Sequence, residues 1–209
     1  MPRNPLTYGN EYQGVPILPE PEHGNHLSIL DAIHRTMTDM VDRHCRVFGV
    51  LFGLKLPFGF GVVADNHHVE EFMGEFAEYL SGRGIDYRYC WVREQPAPGS
   101  QPHWHVLILL DGNRTWSFFH GHLEAATRIW GGVLGGVNAG GLVDVSDWHE
   151  AFTPTHPYVG NGGVMIDRNS AHRDKAFVLL HTRSSYLAKA ITKEFTPKGL
   201  RKFSASLRR

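Results

Sequence analysis

The sequence predicts an α+β fold: an antiparallel β-sheet with helices packed on one face, closed by a further helix near the C-terminus. Three observations predict it. Apolar runs of strand length alternate with amphipathic runs of helical length. Between residues 46 and 146 those runs follow the order strand, helix, strand, strand, helix, strand. The chain has 209 residues, 42% of them hydrophobic, enough for one well-buried core.

Each element has its own justification. Residues 1–25 hold Pro2, Pro5, Pro16, Pro19 and Pro21 without any period, and read as an irregular arm. From Asn25 a helix is expected, because Leu27, Leu30, Ile33, Met37 and Met40 recur at helical spacing. Residues 46–57 read as a strand with Phe48, Val50, Phe52, Leu54 and Leu56 on one face and Gly49 and Gly53 on the other. Residues 67–82 form a helix with Phe72, Phe76 and Tyr79/Leu80 inward. An aromatic-rich strand at 86–94 and a proline-bearing loop at 95–102 follow. The strand Gln101-Pro102-His103-Trp104-His105-Val106-Leu107-Ile108-Leu109-Leu110 comes next. Residues 121–130 read as a helix, 131–141 as a glycine-rich turn, 142–145 as a short strand and 146–167 as loop. Residues 171–192 contain no Gly or Pro and read as one long helix. The strand and helix order is the split-βαβ, ferredoxin-like (RRM-like) one. The organisation expected is an arm over 1–25, a domain over 26–195 and a basic tail over 196–209.

Composition narrows the functional classes. The 21 Lys and Arg balance the 21 Asp and Glu, which argues against a large nucleic-acid footprint. The distribution is uneven, since the tail from Thr196 carries five Lys/Arg and no acid. That tail is either a phosphate contact or a solvated terminus. No apolar run is long enough to span a bilayer, and the polar, proline-rich start is unlike a signal peptide. Cys45 and Cys90 are isolated, which suits a reducing cytoplasm.

The chemistry-bearing stretch is the strand of two histidines. Residues two apart on a strand share a face, so His103 and His105 lie side by side with Trp104 opposite. Two imidazoles on a rigid backbone form a chelating pair. With 14 His in the chain, about one His-x-His is expected by chance. A second, His120 and His122, does occur, with Gly121 between, and reads as a His-rich loop. The other reading of the first pair is two half-buried histidines bonded to backbone. The hairpin from 86–94 brings Glu94 roughly opposite His103, and we expect it on the same face. Two imidazoles and a carboxylate then make a three-ligand site with open positions. Alone, Glu94 would read as an acid paired with Arg93 or Arg88. On the last helix, Tyr186, Lys189 and Lys193 are three and four residues apart and share a face. A Tyr-x-x-Lys is expected only about 0.2 times by chance in such a chain. Its other reading is an amphipathic tyrosine covering the sheet.

His-hydrophobic-His on a strand, the preceding Glu94 and the downstream Tyr186-Leu187-Ala188-Lys189 resemble the HUH endonucleases that initiate rolling-circle replication. The wording of these motifs, with the 199–206 segment, looks most like replication proteins of filamentous phages (inoviruses) and their prophage relatives. The resemblance spans residues 46–193 and implies a single-tyrosine nickase. The substrate it implies is single-stranded DNA or an origin hairpin, in a bacterial cytoplasm, with a host helicase as a further partner. Tyr186 would attack the phosphate, leaving a 5′-phosphotyrosine and a 3′-hydroxyl, with Lys189 aiding the phenolate. His103, His105 and Glu94 would hold Mn2+ or Mg2+; ligand softness alone would favour Zn2+, and Ni2+ would also suit a purified sample. Lys193, Lys198, Arg201 and Lys202 are DNA-binding candidates, with Arg208 and Arg209 beyond them and Trp104 and Trp116 for base stacking. Two other classes compete: a non-catalytic DNA-binding or regulatory protein of phage origin, and a metal-dependent hydrolase that uses water and makes no covalent intermediate.

Overall fold

The computed structural model describes residues 5–146 and 156–206. The arm contributes β1 (Leu6–Thr7), β2 (Glu11–Tyr12), β3 (Val15–Pro16) and β4 (Asn25–His26). Then come α1 (Leu27–Arg43), β5 (Arg46–Leu54), α2 (His67–Ser81), β6 (Tyr87–Glu94), β7 (His103–Asp111) and α3 (His122–Val133). The chain continues through β8 (Val143–Val145), β9 (Val159–Gly160), β10 (Gly163–Asp167), α4 (Arg173–Ser184) and β11 (Phe203–Ala205). The fold is α+β, with four α-helices among the described residues.

The main sheet has seven strands in the order β11-β6-β7-β5-β10-β9, all antiparallel. One edge of β5 is shared: Arg46–Gly49 pairs with β10, and Phe52–Leu54 pairs with β8. β7 runs through the middle, and every residue from Val106 to Leu110 is buried. That is why its sequence reads as an unbroken apolar run.

Alternation along the strands divides the core in two. Phe48, Val50, Phe52 and Leu54 face α2 and α3, where they meet Phe72, Phe76, Ile129 and Trp130. Val47, Leu51, Leu107 and Leu109 face the other way, against Leu30, Ile33 and Met37 of α1 and Leu180 of α4. The expectation of helices on one face is therefore corrected: both faces are covered. The apolar stripe of α1 requires a partner but does not say which side of the sheet supplies it. Gly49 has a reason to lack a side chain, because a Cβ there would collide with the Leu180 side chain.

Four further expectations change. The long helix over 171–192 stops at Ser184 and gives way to 3-10 turns at Ser185–Ala188 and Ile191–Lys193. The arm sets that break: Asn25 bridges Lys189, the Ala190 N–H donates to Gly24 O at 3.0 Å, and the Leu18 N–H donates to Ser185 Oγ at 2.8 Å. These bonds replace the helical ladder beyond Ser184. The supposed loop over 146–167 contains β9 and β10; residues 147–155 of it lie outside the described residues. The basic tail is not separate either, because β11 adds to β6 with Phe203 opposite Val92. The arm is likewise docked, with Ile17 buried in the α1 core.

Candidate metal centre

The site sits where the β6–β7 hairpin meets the turn after α4. Register fixes its floor: Glu94 pairs with His103 and Val92 with His105. Glu94, His103 and His105 therefore share the face covered by α1 and α4, as expected from the hairpin. Glu94 Oε2 lies 3.4 Å from Nε2 of each histidine. The two imidazole rings meet edge to face, with centroids 5.1 Å apart. One donor atom from each of the three residues falls within 4.8 Å of the others. Among the described residues no other group of three His, Cys, Asp or Glu does so.

The second carboxylate oxygen is already engaged. Glu94 Oε1 accepts from Lys193 Nζ at 2.9 Å and from Thr192 Oγ1 at 2.9 Å. Lys193 also donates to Thr192 Oγ1 at 2.8 Å. This turn is tied to the hairpin by the Gln95 N–H, which donates to Thr192 O at 2.9 Å. The carboxylate is thus clamped on one oxygen and turns the other to the imidazoles. Burial alone would raise the Glu94 pKa; hydrogen bonds from His103 and His105 and the Lys193 charge outweigh it and hold the group well below the usual carboxylate range. An ionised acid beside two imidazoles is a hard–borderline donor set that fits a divalent cation. The histidines are about three-tenths exposed, so such an ion would keep open positions toward solvent.

Tyr186 comes to the same place. Its ring stands edge-on to His105 with centroids 6.0 Å apart, and the residue is 38% exposed. Burial, then the Glu94 charge, raises the phenol pKa above its ordinary value. Lys189 Nζ lies 5.2 Å from the Tyr186 ring centroid and 3.3 Å from Glu20 Oε2 of the arm. A cavity of about 290 Å3 is lined by His105, Tyr186, Leu51, Phe52, Arg183 and Leu187.

Not every candidate keeps its role. Lys193 has no exposed side chain and pairs with Glu94, so it is an internal counter-ion and not a surface DNA contact. It does not share a helix face with Tyr186, because the helix has ended. Trp104 is fully buried against Trp130, with Nε1 donating to Asn66 Oδ1 at 3.4 Å, and is no stacking platform. Lys198 and Arg201 are exposed, and Arg201 lies 3.9 Å from Glu70. Lys202 is half-buried next to β11, where its carbonyl accepts the Arg93 N–H at 2.8 Å. Arg208 and Arg209 lie outside the described residues. Thr192 is the site residue that sequence reasoning missed. A threonine has no spacing signature of its own, and the predicted helix would have turned it away from Lys193. Compared with family models, with curated proteins and with solved structures, the chain matches none.

Proposed function

We propose that the protein is a metal-dependent nicking and rejoining enzyme for single-stranded DNA, of the HUH kind that starts rolling-circle replication. The observation that carries this reading is the approach of Tyr186 to the Glu94–His103–His105 group from a different part of the chain. The strand order β8-β5-β7-β6 supports it too, being the order a split-βαβ core gives.

His103, His105 and Glu94 Oε2 would hold the cation, Mn2+ or Mg2+ in function; the imidazoles would also retain Zn2+ or Ni2+. When bound, it supplies Lewis-acid polarisation and orientation of the scissile phosphate. Tyr186 is the nucleophile: its oxygen bonds to phosphorus as the bond to the 3′-oxygen breaks. The phenol proton leaves to solvent on the exposed side, and the departing 3′-oxygen takes one from water. The 5′-phosphotyrosine conserves the bond energy, so attack by a 3′-hydroxyl reverses the step and reseals the strand. Lys189, with Nζ 5.2 Å from the ring centroid and paired to Glu20, is the cation that would aid the phenolate once turned toward it. Lys198, Arg201 and Lys202 would meet phosphates beside the hairpin. An origin hairpin and a host helicase are the partners this reading implies.

The test is incubation with Mn2+ and single-stranded DNA, followed by a denaturing gel. A covalently shifted protein is expected, lost in Tyr186→Phe and with chelator. An adduct that survives Tyr186→Phe would remove the nucleophile assignment. Cleaved ends without any protein–DNA link would favour a hydrolase. Salt-sensitive binding indifferent to chelator would favour a regulatory DNA-binding protein.

A further inference from the structure

A second cavity, of about 330 Å3, lies at the other end of β6 and β7. Its walls include Arg83, Arg114, Trp116, Ser117, His120 and His122, and no carboxylate lines it. β7 separates it from the metal centre, since the histidines open that strand and Arg114 follows its end. At the usual strand rise the nine residues of β7 put the two sites on the order of 27 Å apart.

Four features give this cavity ligand chemistry. Trp116 is 54% exposed although it is the largest side chain in the wall, and its ring lies 5.0 Å from that of His120. An exposed indole beside an imidazole offers a flat face for stacking. The Arg83 guanidinium rests 4.0 Å over the Tyr79 ring, which orients it without neutralising it. Ser117 is 2% exposed, yet its hydroxyl has no hydrogen-bond partner. A buried hydroxyl left unpaired is costly, and an acceptor entering the cavity would satisfy it. The floor is fixed, because both nitrogens of the buried His122 ring are occupied, Nδ1 by the Tyr79 hydroxyl at 3.1 Å and Nε2 by Thr115 Oγ1 at 2.8 Å.

We propose that this cavity binds a nucleotide unit, its base stacked on Trp116 and its phosphate held by Arg83 and Arg114, with the Ser117 hydroxyl donating to an oxygen of the ligand. A bare anion would use the arginines but leave the indole idle; an apolar ligand would leave the guanidiniums and the hydroxyl unpaired. A cavity of this size falls at the small end of ligand sites, suited to one nucleotide rather than several. The source is either a free mononucleotide or one residue of a single strand. The site stands apart from the metal centre and does not depend on the nickase reading.

The experiment is calorimetric titration of the full chain with AMP, with a thymidine dodecamer and with orthophosphate. Trp116→Ala should weaken AMP binding by about tenfold, and Trp116→Phe should restore most of it. The Arg83→Ala/Arg114→Ala double variant should weaken it at least as much, while Tyr186→Phe should leave it unchanged. All the pocket substitutions are at exposed positions, and circular dichroism checks that each variant folds. A dodecamer that binds more tightly than AMP, and loses that advantage in the pocket variants, identifies a strand as the source. AMP binding as tightly as the dodecamer identifies a free nucleotide. Absence of AMP and dodecamer binding, affinities unmoved by the pocket variants, or orthophosphate competing as well as AMP would each overturn the proposal.

Discussion

Against burial, Glu94 is held ionised first by hydrogen bonds from His103 and His105 and then by the Lys193 charge, while Lys193 and Thr192 fix its other oxygen. Removing one partner of a buried ion pair strands the other charge. Lys193→Met should therefore destabilise the protein by about 3–5 kcal/mol in the absence of divalent metal. Urea titration with and without Mn2+ measures this, and Mn2+ should recover part of the loss by neutralising the acid. A variant as stable as the parent would show that the pair is not a structural counter-ion. His103 and His105 were legible from the sequence because a strand has a period of two, whereas the register that puts Glu94 opposite His103 across the loop 95–102 is fixed only by the pairing itself. Lys193 was legible only as a chemical type. Its role depends on which way the chain turns after Ser184, and that is decided by bonds to residues more than 150 positions earlier.

At the level of elements, Gly49 lets α4 approach β5. Gly49→Ala should cost about 1–3 kcal/mol, the range for overpacking a close-packed site. Gly53→Ala serves as the control, because a Cβ there would sit 3.8 Å from His105 Nδ1, an ordinary contact. Denaturation midpoints of the two variants check the difference; equal losses would argue that the strand itself, not α4, resents a side chain. The β5-to-β8 order could be read from period alone. β10 could not, since Gly160, Gly162 and Gly163 make its surroundings look like a turn. Gly163 needs its bareness for another reason: a Cβ there would strike the Gly49 carbonyl across the pair. The C-terminal helix was overextended because Ser184, Ser185 and Tyr186 carry no breaking residue, so the 3.6 period shows no stop.

Over the whole molecule, two buried histidines set an acid limit. Burial, then the Lys202 and Lys193 charges, pulls His26 from 6.5 to about 4. Burial does the same to His181, to about 4, against a hydrogen bond with Pro16 O. Each folded-state pKa lies below the unfolded one, so the unfolded chain takes up protons first as pH falls. Stability is complete above about pH 6.5 and drops toward pH 4, by about 3 kcal/mol per histidine. His181→Gln should flatten that acid limb by a similar amount in urea midpoints taken across the range; an unchanged limb would mean His181 titrates normally. Mn2+ should raise the thermal midpoint of the parent and not that of a His103→Ala/His105→Ala variant, since an ion that binds only the folded state stabilises it. Among the described residues no helix is long and apolar enough to cross a membrane.

The Lys193–Glu94 pair joins positions 99 residues apart. During synthesis the hairpin leaves the ribosome long before its counter-charge does. Until the last stretch emerges, the acid has no cation of its own, and no tyrosine stands beside His105. A stalled or truncated product would hence carry the histidine pair and its acid without the lysine that clamps the acid or the ring that stands beside His105.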